Sequence, residues 1–116
     1  MLDRQTQPLE IAAKVLRPET IRRVRKDENF LRSAYLILDR WALNEPETLK
    51  ELETKQDGDI LLHRLYEQTE MEKDALSTAS AAKMQAQGMT ESEILARLEV
   101  DTRVRTTASH WATTSA

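Results

Sequence analysis

The stretch Phe30-Leu31-Arg32-Ser33-Ala34-Tyr35-Leu36-Ile37-Leu38-Asp39-Arg40-Trp41-Ala42-Leu43 decides the fold. Phe30, Ala34, Ile37 and Trp41 recur at spacings of four, three and four, the period of one helix face. Leu31, Tyr35, Leu38 and Ala42 form a second stripe beside it. A helix apolar over so much of its circumference must be surrounded by others. This segment is therefore expected to be the most buried element of a helical bundle. Trp41, on the first stripe, is expected in the core.

Working outward, the segments on either side also carry helical spacing. Leu9, Ala12, Ala13 and Leu16 mark a first helix from about Pro8 to Leu16. Arg17-Pro18 punctuates, because a residue before proline is pushed out of the α region. A helix from about Pro18 to Leu43 would then contain the deciding stretch. Asp27 offers an N-cap that would split it in two, and the two readings stay open. Asn44-Glu45-Pro46-Glu47 reads as a stop and restart, with a short helix to about Lys55 presenting Leu49 and Leu52. Gln56-Asp57-Gly58-Asp59 is the clearest turn.

The spacing beyond it predicts one long helix over 59–87, about 43 Å at 1.5 Å per residue. Its start is rich in large apolar groups, and its end is small: Ala75, Ala79, Ala82 and Ala86. Alanines so spaced permit another helix to approach closely. A helix this long in so small a chain suggests a homodimer with that stripe at the interface. Gly88 stops the helix at the left-handed position past its C-terminus. Thr90-Glu91-Ser92-Glu93 is a capping box opening a fifth helix. Residues 1–105 are expected to be a single helical domain, and 106–116, rich in Thr, Ser and Ala, a flexible tail.

The composition agrees with an all-α class. Among 116 residues there are 2 Gly and 3 Pro, too few to supply the turns of an all-β fold. Cysteine is absent, which excludes disulfides, thiol catalysis and cysteine-ligated zinc. No apolar run approaches the ~20 residues a membrane helix needs. No secretory signal is evident at Met1 to Gln7, so a cytoplasmic protein of bacterial type is expected.

The net charge of −3 hides an asymmetry. Residues 1–26 hold seven positive and three negative groups; residues 27–80 hold six positive and thirteen negative. The basic head centres on Arg22, Arg23, Arg25 and Lys26. Three readings fit it: a phosphate-binding face, the solvated side of a helix, or a partner for the acidic stretch Glu67, Glu70, Glu72 and Asp74.

Candidate chemistry is sparse. Asp59, His63 and Glu67 share one helix face, but a single histidine between two carboxylates is usually a solvated face, and no metal or other cofactor is expected. There is no phosphate loop and no nucleophile motif, so no catalytic residues are assigned and an enzyme is not expected. The segment Gln87 to Val100 resembles the first helix and turn of many helix-turn-helix DNA-binding domains. That resemblance implies duplex contact through a second helix, Thr102 to Trp111, with Arg103 and Arg105 as its basic residues. The usual turn glycine would fall near Glu99, which departs from the pattern. The expected function is therefore a non-enzymatic interaction or regulatory protein acting through protein–protein contacts and self-association. The alternative is a small DNA-binding regulator.

Overall fold

The computed structural model describes residues 8–104. Within them the chain forms α1 (Glu10–Val15), α2 (Pro18–Lys26), α3 (Arg32–Asn44), α4 (Pro46–Glu53), a 3-10 turn (Lys55–Gly58), α5 (Asp59–Leu76), α6 (Ala79–Ala86) and α7 (Glu91–Arg97). The fold is all-α, a compact bundle around α3 and α5.

The deciding stretch occupies the centre. Phe30, Ala34, Ile37 and Trp41 are all buried, with Trp41 only 1% exposed. Six of the thirteen residues of α3 are buried, Asp39 among them; the first stripe is buried throughout, while of the second only Leu38 and Ala42 are, with Leu31 68% exposed. Its closest packing is on α1 and then on α5. One buried cluster joins Leu9 and Ala12 of α1, Leu49 and Leu52 of α4, Leu61 and Leu65 of α5, and Val104. Beside it, α7 packs on α5 and α6 and buries Ile94 and Leu95.

The choice left open over 18–43 resolves as two helices, and the expected long helix over 59–87 is divided. The segment 18–43 is two helices, and Asp27 closes the first instead of opening the second. The Asp27 carboxylate accepts from the Asn29 N–H at 2.9 Å, a local turn that competes with helix continuation. Phe30 then anchors the link in the core.

The long helix ends at Leu76, after 18 residues. The Ser77 hydroxyl bonds back to the carbonyl of Lys73 at 2.8 Å. Thr78 turns extended, and its Oγ1 accepts from the Ala81 N–H at 3.1 Å, capping α6. An adjacent Ser and Thr thus provide both a stop and a start. The remaining α5 spans about 27 Å, which a domain of this size covers, so helix length no longer argues for a dimer. On α6 the buried alanine is Ala81; Ala79, Ala82 and Ala86 are exposed and Ala75 on α5 is half-buried.

Gly88, at φ +92°, ends α6 as expected. Its N–H bonds to the Gln85 carbonyl and the Met89 N–H to the Met84 carbonyl, the paired bonds of a Schellman cap. The capping box at Thr90 and Glu93 forms in both directions.

Candidate functional site

Three carboxylates lie inside the bundle, Asp39, Glu53 and Glu72, at 8%, 5% and 6% exposed; the sequence singles out Glu72 only as part of the acidic stretch and the other two not at all. Each has a structural task. Asp39 accepts from the Leu9 N–H at 2.7 Å and the Ala12 N–H at 2.8 Å. Leu9, the N-cap of α1, has no capping side chain of its own, so α3 supplies one from thirty residues away. Glu53 accepts from the N–H of Arg17, the N-cap of α2, at 2.8 Å. Glu72 receives Arg40 through two bonds, Nη1 at 3.2 Å and Nη2 at 2.6 Å. Carboxylates so committed as acceptors hold helices in place.

The Glu72 pair is one end of a larger polar network, which clamps residues 101–104. Gln68 Nε2 donates to Glu72 at 2.7 Å and to the Asp101 carbonyl at 2.8 Å. Arg40 Nη2, at 3.2 Å, and Trp41 Nε1, at 3.0 Å, both donate to the Thr102 carbonyl. The Val104 N–H donates to Glu45 at 2.9 Å, and the Val104 side chain enters the core. Below the clamp lies Arg64, 2% exposed, its guanidinium 6.0 Å from the Trp41 ring centre. Arg64 Nη1 reaches Glu67 at 3.1 Å, while its Nε and Nη2 and the Gln68 Oε1 have no hydrogen-bond partner among the described residues. Buried polar atoms of this kind are rare and costly, so this is the least relaxed part of the interior.

Next to the clamp is a groove of about 740 Å³ between α3, α5 and α7. Arg40 borders both. Leu36, Ile37, Leu76 and Leu95 supply the apolar wall; Arg32 and Lys73 supply positive charge and Glu91, with the Arg40-paired Glu72, negative charge. Leu36 is 48% exposed. Leu43, seven residues on and so on the same side of α3, is 66% exposed.

Comparison with known protein families, curated proteins and solved structures finds no match to this chain.

The basic cluster divides. Arg23 faces the turn after α4, donating to the Asp57 carbonyl at 2.9 Å and to Asp59 at 2.7 Å. Gln56, Asp57 and Gly58 in that turn all have positive φ, and the Arg23 bonds brace this unusual run. Arg22, Arg25 and Lys26 are exposed and make no ion pair among the described residues. The acidic stretch does not meet them: Glu72 takes Arg40, Glu67 takes Arg64, and Glu70 lies 3.7 Å from Lys73.

Arg103 is exposed and bound to Asp101, Nε to Oδ1 at 3.2 Å. That hydrogen bond and the Asp101 charge push the Arg103 guanidinium above its ordinary pKa. The start of the expected recognition helix, Thr102 to Val104, is not helical; the clamp draws it out. Arg105 and residues 106–116 lie outside the described residues. Glu99, which stands where the resemblance would put a glycine, is in the left-handed region at φ 63°. Its N–H bonds to Ala96 and that of Val100 to Leu95, a second Schellman cap without glycine.

The candidate metal face does not assemble. His63 Nε2 lies 3.3 Å from Glu67, but Asp59 is taken by Arg23. No cluster of three metal-ligating side chains occurs among the described residues.

Proposed function

We propose that the chain is a non-enzymatic interaction or regulatory protein that binds a protein partner in the groove between α3, α5 and α7. The observation that carries this reading is Leu36. It is a large apolar side chain left half-exposed in the wall of a groove whose rim carries Arg32 and Lys73. A partner segment with an apolar face, carboxylates against Arg32 and Lys73 and a basic group against Glu91 on the α7 side complements these features. Leu43 extends the apolar contact along α3. Self-association as a homodimer and a place in the bacterial cytoplasm belong to the same proposal.

The test compares the tagged wild-type chain with Leu36→Glu, a change at a half-exposed position that leaves the core untouched. Both are purified from the native cell. A protein retained by the wild type and lost from the variant is the expected result. An identical retained set for both chains would remove the groove from consideration.

A second reading, duplex DNA binding, is favoured by one observation: Arg22, Arg25 and Lys26 present three exposed positive groups without carboxylate partners among the described residues. It rests on α2, since Arg103 is already held by Asp101.

A further inference from the structure

After Leu65 the chain leaves the main buried cluster, and it returns to it at Val104. Beyond Leu65 the buried positions of α5 are polar: Gln68, Thr69 and Glu72. The hairpin of α6 and α7 buries Ala81, Ile94 and Leu95, and none of the three belongs to that cluster. The polar ties divide in the same way. Asp39 and Glu53 tie α1 and α2 to the bundle, and the clamp ties 101–104. Among the described residues, no hydrogen bond or ion pair joins 79–100 to the bundle beyond the junction at Thr78. The backbone bonds that close the hairpin stay inside it: the Met89 N–H to the Met84 carbonyl, the Leu98 N–H to Ile94 and the Val100 N–H to Leu95.

We propose that residues 79–100 fold and unfold as one unit on a bundle that stays intact, and that this unit is a gate for the groove. A segment with few buried apolar contacts belongs to the low end of local stability. At 8 and 7 residues, α6 and α7 are too short to persist alone. Each leans on the other and on α5, so losing one removes the support of both. The two ends of the unit are fixed. Ser77 is bonded back to α5, and 101–104 are clamped. Opening therefore leaves the core and the clamp bonded. Glu91, Ser92 and Leu95 of α7 line the groove, so opening removes one of its walls and closing restores it. A segment seated in the groove favours the closed form and holds it shut by mass action. Its apparent affinity falls in proportion to the closed fraction. The gate rests on the groove reading above for what it controls, and on packing alone for its existence.

The experiment compares residue-by-residue amide hydrogen exchange in the full wild-type chain, in Thr78→Ala and in Thr90→Ala, with no partner present. Both threonines are exposed helix caps, so neither change touches the core. In the wild type, the Gln87, Met89, Leu98 and Val100 amides should exchange at least about tenfold faster than those in the middle of α3. The Val104 amide and the Trp41 indole N–H, which report the clamp, should stay with α3. Thr78→Ala, made at the start of α6, should speed exchange at Leu98 and Val100 in α7 about fivefold, the effect of losing one cap. Thr90→Ala should do the same at Gln87 and Met89. Hairpin amides as slow as those of α3 would overturn the proposal. So would variants that each affect only their own helix, or a clamp that opens together with the hairpin. If instead the groove reading fails in the Leu36→Glu comparison, this result stands, because no partner enters it.

Discussion

At the scale of single residues, the two helix ends at Gly88 and Glu99 make an internal comparison. Both close with the same pair of hydrogen bonds, at φ +92° and 63°. Only one is glycine. A side chain in the left-handed region costs about 1–2 kcal/mol, offset in part by the extra freedom glycine has when unfolded. Glu99→Gly should therefore stabilise the chain by about 0.5–1 kcal/mol in urea unfolding. Gly88→Ala should destabilise it by a similar amount, since open space around a Cβ there does not relieve the backbone. Equal and small effects at both positions would mean that the left-handed geometry at Glu99 does not persist in solution. Trp41 is the other informative residue. It fills the centre of the core, and its Nε1 holds Thr102. Trp41→Ala should cost about 3–5 kcal/mol, as large aromatic truncations in cores do. A loss below about 1 kcal/mol, typical of surface changes, would contradict its burial.

At the scale of elements, the sequence was legible wherever the signal was local and repeated. The apolar stripes of α3, prolines at the starts of α2 and α4, Gly88 and the Thr90–Glu93 box all lie within one or two turns of what they control. The breaks at Asp27 and Ser77-Thr78 were harder, because the same residues are compatible with a helix and with a local turn. Which wins depends on whether the next segment can be buried, as Phe30 and Ala81 are. Capping across the bundle was not legible at all. Asp39 caps α1 from 27–30 residues away, and the only local hint was a lone carboxylate amid Leu36, Ile37, Leu38 and Trp41. Asp39→Ala strands two buried N–H groups, at about 1–3 kcal/mol each. Amide hydrogen exchange should show α1 losing protection first, with α3 and α5 retaining theirs. Uniform loss along the chain would instead mean that α1 and the core unfold as one unit. The clamp was equally hidden, since its bonds to Thr102 and Val104 span 59–62 residues and follow no period.

At the scale of the whole molecule, charge separates the two functional readings. Three exposed positive groups, Arg22, Arg25 and Lys26, sit together on α2, while five carboxylates of residues 27–80 are engaged at helix N-termini (Asp39, Glu53) and with Arg23, Arg40 and Arg64 (Asp59, Glu72, Glu67). The acidic middle is thus less repulsive to a phosphate backbone than its thirteen negative charges suggest. Even so, three cations on one short helix, unpaired among the described residues, make a small footprint for duplex DNA. Each phosphate contact contributes about −0.9 to the slope of log affinity against log salt. A duplex held by Arg22, Arg25 and Lys26 should therefore show a slope no steeper than about −3. Removing Arg22 and Arg25 together should flatten it by about 2. Removing Arg103 should leave it unchanged, because that guanidinium is already bound to Asp101. We expect weak duplex affinity with this pattern and no preferred sequence, since phosphate contacts carry no base information. A steeper slope that depends on Arg103 would show that the C-terminal segment leaves its clamp to meet DNA, and would make DNA binding the leading reading.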